Sequence, residues 1–84
     1  MFALPIDYQV LDYVITLNRK EGAAAREQML RIRDFPGNLT DYFEIDSSNR
    51  QYCVHIFGQH AIKYWIDDAD RVVKIMEIRQ TDQD

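Results

Sequence analysis

The spacing of apolar residues changes near residue 39, and this change constrains the fold more than any other feature of the chain. Up to that point, apolar side chains recur three or four residues apart, as on one face of an α-helix. Beyond it, short apolar runs alternate with turn residues, as in β-strands. The sequence therefore predicts one α+β domain over residues 1–84, with an N-terminal helical hairpin packed on a four-stranded antiparallel β-meander.

Two helices are predicted before the change, over about residues 8–19 and 23–34. Asp7 is a suitable N-cap for the first helix, and Gly22 is a suitable end for it. A single helix running through Gly22 is the alternative, at a cost of about 1 kcal/mol for the glycine. One face of the second helix is formed by Arg26, Leu30 and Arg33.

Four strands are predicted after the change, over about residues 39–46, 51–57, 61–66 and 71–78. Turn-forming residues occupy positions 47–50 and 67–70, and Gly58 marks the third turn. The length of the Gly58 turn decides which side chains share a face of the sheet, because side chains alternate along a strand.

Two turn lengths are compatible with Gly58. A two-residue turn places on one face Cys53, His55, Ile62 and Tyr64. A three-residue turn, residues 58–60, sets Ile56 opposite Ile62 and Val54 opposite Tyr64, which gathers the apolar side chains on one face. We therefore predict the three-residue turn.

This turn predicts an apolar face that the helices cover, formed by Phe43, Ile45, Tyr52, Val54, Ile56, Ile62, Tyr64, Ile66, Val73 and Ile75. It also predicts an uncovered face, formed by Thr40, Tyr42, Glu44, Cys53, His55, Phe57, Ala61, Lys63, Trp65, Val72, Lys74, Met76 and Ile78. An uncovered face that mixes cationic and apolar side chains is typical of a binding surface.

Cross-strand pairing on the uncovered face aligns in one row Tyr42, His55, Lys63 and Lys74. A neutral His55 can take the proton of an RNA 2′-hydroxyl, while lysine and tyrosine stabilise the charge on phosphate. The row is therefore a candidate ribonuclease site. The alternative interpretation is a group of solvated side chains on an exposed sheet.

A second candidate is a protein interface around the row, formed by Phe57, Trp65, Val72, Met76 and Ile78. Trp65 is the candidate anchor, because tryptophan is enriched among the residues that dominate binding energy. The alternative for Trp65 is a cover provided by the N-terminal residues of the chain itself.

Composition restricts the classes of function. The net charge of −4 is unlike that of a dedicated nucleic-acid binder, although a local basic patch is compatible with it. Cys53, His55 and His60 do not have the spacing of a zinc site, so we expect neither metal nor cofactor. A single cysteine and the lack of a long apolar run predict a cytoplasmic protein without membrane contact.

The run YCVHIFGQHAIKYWIDD at residues 52–68, followed by VVKIMEI at residues 72–78, resembles the central hairpin and closing strand of the RelE/ParE toxin superfamily. His60 stands where members often have an aromatic residue, and Ala61 stands where they often have arginine. The resemblance covers about residues 8–78. It implies the toxin fold and an antitoxin-like protein partner with an acidic amphipathic segment.

The leading hypothesis is a toxin-fold protein of a type II toxin–antitoxin-like system that acts by binding a protein partner. One alternative is a ribosome-dependent mRNA interferase that uses the row of Tyr42, His55, Lys63 and Lys74. Another is a non-catalytic acidic regulatory adaptor. The alternatives differ in whether the chain binds RNA and the ribosome, and in whether its expression arrests growth.

Overall fold

A computed structural model describes residues 2–81 of the chain. Its elements are α1 (Tyr8–Thr16), α2 (Arg19–Asp34), β1 (Tyr42–Ile45), β2 (Gln51–Phe57), β3 (His60–Asp67) and β4 (Val72–Gln80). The strands form one antiparallel sheet in the order β1-β2-β3-β4, and the helices pack on one of its faces. The predicted α+β architecture is confirmed. No helix within residues 2–81 is long and apolar enough to cross a bilayer.

The break between the helices lies at residues 17–18, so Gly22 does not end α1 as predicted. Gly22 is buried inside α2. The side-chain oxygen of Asn18 accepts a hydrogen bond from the amide of Glu21 at 2.8 Å and starts the new helix there. Asp7 caps α1 as predicted, because its carboxylate accepts from the amide of Gln9 at 3.0 Å.

The residues that precede α1 extend the sheet beyond β4. We call residues 2–7 the N-terminal segment. It runs parallel to β4, with bridges from Ala3 to Val72 and from Ile6 to Ile75. The carbonyl of Pro5 accepts the amide of Ile75 at 3.0 Å, so proline occupies an edge position where a donor is not needed.

The Gly58 turn has two residues, and the predicted three-residue turn is wrong. His55 pairs with Ile62, and Cys53 pairs with Tyr64. Gly58 has a φ of +56°, as required at the first central position of the type II′ turn that joins the strands of a hairpin. A shift of one residue moves every side chain of the partner strand to the other face.

The two faces therefore differ from those predicted. We call the face against the helices the helix side and the other the open face. Cys53, His55, Phe57 and Ile78 lie on the helix side, contrary to the prediction. Tyr52 and Val54 are buried, but on the open face. Three predicted core residues are exposed: Phe43 by 58%, Ile45 by 64% and Ile56 by 42%.

Ile78 faces the helices because of an irregularity in β4. Lys63 pairs with Glu77 while Tyr64 pairs with Ile75, so Met76 is the extra residue of a β-bulge. The bulge changes the alternation of side chains along β4. Ile75 and Ile78, three positions apart, both belong to the buried core as a result.

Tyr64 fixes the connection between α2 and β1 to the sheet. Its ring is fully buried, and its hydroxyl donates to the carbonyl oxygen of Pro36 at 2.7 Å. The hydroxyl of Thr40 lies 2.7 Å from the same phenol oxygen. Burial raises the pKa of Tyr64 to about 12, although the hydrogen bond to Thr40 acts in the opposite direction.

This pKa predicts a specific response to alkali. The unfolded phenol titrates near pH 10, so between about pH 10 and 12 the unfolded chain loses a proton that folded Tyr64 keeps. The free energy of unfolding should therefore fall as pH rises through this window, and Tyr64 should account for about 2–3 kcal/mol of the loss. Absorbance of tyrosinate should show late ionisation of one of the five tyrosines, and Tyr64→Phe should remove that step. Titration of all tyrosines together would contradict the assignment.

Candidate functional site

The predicted catalytic row is not formed. His55 lies on the helix side and is 9% exposed, whereas Tyr42 and Lys63 lie on the open face. Nδ1 of His55 is 2.8 Å from the carbonyl oxygen of Leu39, and Nε2 is 2.7 Å from Oε1 of Gln28. These contacts join β2 to α2 and to the loop before β1. They hold His55 beneath the helices, where a molecule bound to the open face cannot reach it.

The open face carries a network of ion pairs. Lys63 Nζ lies 3.6 Å from Glu44 and 4.0 Å from Glu77. Arg79 contacts the same two carboxylates, at 2.7 Å and 3.4 Å, and also donates to the hydroxyl of Tyr42 at 3.3 Å. Lys74, the last member of the predicted row, instead pairs across the strands with Trp65.

The charges in this network balance one another. Burial lowers the pKa of Arg79, but the hydrogen bond to Glu44 and the charges of Glu44 and Glu77 outweigh it, and the pKa is raised overall. Two carboxylates thus hold two cations that would otherwise be available to phosphate. The central part of the open face is therefore a poor site for binding an RNA backbone, which requires unneutralised Lys or Arg.

The predicted interface residues are divided between the two faces. Phe57 and Ile78 pack with the core on the helix side, and Ile78 is buried. Trp65 stays on the open face, where the guanidinium of Arg50 lies 4.9 Å from its ring centre. Val72 pairs with Asp67 at the far end of that face, and Met76 lies in the bulge. These five side chains do not form one continuous surface.

Helix α1 exposes several of its apolar side chains. Val10 is buried, as expected of the core side. Ile15 is 78% exposed, Tyr8 is 76% exposed and Leu11 is 47% exposed. Their spacing of three and four residues places them along one side of the helix. The outward side of α1 is therefore an apolar stripe.

Helix α2 carries a basic stripe. Arg19, Arg26 and Arg33 recur every seven residues, with the exposed Leu30 between the last two. The carbonyl of Val14 in α1 and the guanidinium of Arg26 both lie within 4 Å of the position that a side chain at Gly22 would take, so Arg26 lies on the side of α2 where Gly22 approaches α1. Among residues 2–81, Arg19 and Arg26 make no ion pair.

We call the combined area the hairpin surface; its residues are Tyr8, Leu11, Ile15, Arg19, Arg26, Leu30 and Arg33. Its basic part includes the predicted face of Arg26, Leu30 and Arg33. Its apolar part was not predicted. The sequence did contain an indication of it. The short helix α1 has apolar residues on more than one side, and a single packed face does not need that many.

A shallow pocket of about 180 Å³ lies between the start of α2 and the Gly58 turn, lined partly by Glu21, Phe57 and His60. His60 begins β3, is 4% exposed and stacks on Phe57 with ring centres 5.3 Å apart. Its Nε2 has no hydrogen-bond partner in the described part of the chain. Within that part, no three His, Cys, Asp or Glu side chains are grouped as metal ligands.

No protein-family model matches the sequence, and no curated protein matches it. Solved structures do match. The toxin–antitoxin complex RelBE2 from Mycobacterium tuberculosis superposes with a TM-score of 0.79 at 15% identity, over 94% of this chain and 96% of that chain.

The archaeal RelE–RelB complex from Pyrococcus horikoshii has a TM-score of 0.79 at 16% identity, over 94% of this chain and 93% of that one. The isolated E. coli RelE toxin has a TM-score of 0.78 at 10% identity, over 100% and 88% of the two chains. At such identities the likeness concerns the backbone arrangement. The chain therefore has a RelE-like toxin fold.

Proposed function

We propose that this chain is the toxin-fold member of a toxin–antitoxin-like pair and acts by binding a protein partner through the hairpin surface. The observation that carries the proposal is the apolar stripe of α1, because exposed and contiguous apolar side chains mark interaction sites. Three relatives of the same fold were crystallised with antitoxins, which supports the choice of partner class.

The chemistry of the hairpin surface favours an acidic amphipathic helix as the bound segment. Such a helix lays its apolar side on the stripe of Tyr8, Leu11 and Ile15. Its carboxylates then meet the guanidinium groups of Arg19 and Arg26, which lack partners among residues 2–81. Complementary charge accelerates association and fixes orientation, while the apolar contact supplies most of the affinity.

The proposal is tested by co-expression with the protein encoded by the adjacent open reading frame. We expect the two to co-purify as a stable complex. We also expect growth arrest when this chain is expressed alone and relief of the arrest on co-expression. A chain that neither arrests growth nor retains its neighbour would contradict the proposal and favour the adaptor hypothesis.

The interferase alternative is tested by incubating the purified chain with ribosome-bound mRNA. We expect intact mRNA, because the buried His55 is separated by the sheet from Tyr42 and Lys63. Loss of a general base typically lowers a rate by about 10²–10⁴-fold. Cleavage that His55→Ala reduces to this extent would therefore restore the interferase hypothesis.

A further inference from the structure

We propose that the free edge of β1 accepts an extended, basic segment of another protein as an added fifth antiparallel or parallel strand. The hairpin surface lies on the helices, whereas this site lies at the edge of the sheet. The two can be tested separately. The segment that we expect at the β1 edge has apolar residues at alternate positions and a Lys or Arg at each end.

The backbone of β1 supplies the first argument. The strand is last in the sheet order and pairs only with β2 among the described residues. The amide of Asp46 donates to the carbonyl of Arg50. Because every second residue of an antiparallel strand bonds to the same neighbour, Glu44 and Tyr42 also form their backbone hydrogen bonds with β2. The amides and carbonyls of Phe43 and Ile45 therefore point away from the sheet, where an added strand would meet them.

The side chains of β1 supply the second argument. Phe43 and Ile45 project to the helix side but are 58% and 64% exposed, because the helices do not extend over this edge. Tyr42 is 40% exposed on the open face. Apolar side chains thus flank the free backbone groups on both faces. By contrast, the opposite edge of the meander is covered, since the N-terminal segment pairs with β4.

Charge identifies the occupant. Residues 41–46 contain Asp41, Glu44 and Asp46 and no Lys or Arg. Glu44 is already paired with Arg79. Asp41 accepts the amide of Ile56 at 2.6 Å and lies 3.3 Å from Nδ1 of His55, but its side chain is 49% exposed and meets no Lys or Arg among residues 2–81. The backbone hydrogen bond from Arg50 lowers the pKa of Asp46, which keeps this carboxylate ionised. Carboxylates at both ends of β1 complement cations at both ends of an added strand.

A second copy of the chain fits this edge less well. Pairing that sets Phe43 opposite Ile45 of another copy also sets Glu44 opposite its own equivalent. Like charges directly opposite one another destabilise a strand pair. The net charge of −4 on each chain adds to the repulsion.

The experiment uses a seven-residue peptide, Lys-Val-Thr-Val-Thr-Val-Lys, and a matched peptide with Glu in place of Lys. Each is titrated into the labelled full chain, followed by NMR amide signals and hydrogen exchange. We expect the basic peptide to protect the amides of Phe43 and Ile45 and to bind at least about tenfold more tightly than the acidic one. Ile45→Pro should abolish binding, because it removes an outward amide that β2 does not use.

Ile45→Thr is the matched variant that keeps this amide, and it should retain part of the binding. Unchanged signals of Val54 and Tyr64 verify that each variant is folded. Equal binding of the two peptides, or protection elsewhere than at β1, would overturn the proposal. Protection that appears without peptide as protein concentration rises would also overturn it, in favour of a second copy.

Discussion

Ile15→Asp should weaken binding of the co-purified partner by about 2 kcal/mol or more, which is about thirtyfold, without unfolding the chain. Ile15 is 78% exposed, so the free protein loses little packing. The bound partner would instead have to desolvate a carboxylate in the apolar stripe and place its own acidic residues near it. Isothermal titration of the purified partner measures the loss.

Two further variants locate the interface. Arg26→Glu should mainly slow association and reverse its dependence on salt, since Arg26 belongs to the proposed hairpin surface and makes no ion pair in the described part of the chain. Trp65→Ala should leave affinity unchanged, because Trp65 lies on the open face, across the sheet from the helices. The opposite result, with Trp65→Ala damaging and Ile15→Asp neutral, would move the interface to the open face.

Ile62→Ala should lower the free energy of unfolding by about 2–5 kcal/mol, whereas Ile56→Ala should lower it by about 1 kcal/mol or less. Both are isoleucines of the central hairpin, but Ile62 is fully buried and Ile56 is 42% exposed. The first replacement leaves a cavity in the core, while the second removes a side chain that water already reaches. Urea unfolding of the two variants measures the difference.

This pair also tests the register. The three-residue turn would place both isoleucines opposite one another in the core, and similar losses for both variants would support it. The two-residue turn makes the losses unequal. A small domain has a free energy of unfolding near the lower end of about 5–15 kcal/mol, so Ile62→Ala alone can bring it close to unfolding.

Element types were predictable because they depend on local patterns. The helical spacing, the Asp7 cap and the turn residues between strands each act over a few positions. The helix boundary at residues 17–18 was missed because Gly22 received more weight than Asn18. A capping side chain has a stronger local effect here than a tolerated glycine, which costs only about 1 kcal/mol inside a helix.

The register was not predictable by counting apolar residues. That count placed His55 on the uncovered face, but under the helices the carbonyl of Leu39 and the side chain of Gln28 provide hydrogen-bond partners for its ring. It also treated Ile56 as a core residue. Gly58 followed by an ordinary residue was the better signal, because the type II′ turn places glycine first.

The candidate sites changed with the register. A one-residue error moved His55 and Phe57 to the wrong face, and the catalytic row and the apolar patch depended on that assignment. The bulge at Met76 could not be inferred from sequence spacing, and it moved Ile78 as well. The apolar stripe of α1 became visible only when the structure showed which residues the sheet covers.

When the ribosome has added residue 71, the N-terminal segment has already left the exit tunnel. The strand to which this segment binds, β4, has not yet been synthesised. Ala3, Pro5 and Asp7 all hydrogen-bond to residues 71–75, and α1 follows directly. The first helix is therefore held in place by the last strand, and such long-range closure delays folding. A chain cut short within β4 should display no folded hairpin surface, so a partner of that surface should bind only chains in which β4 has been made.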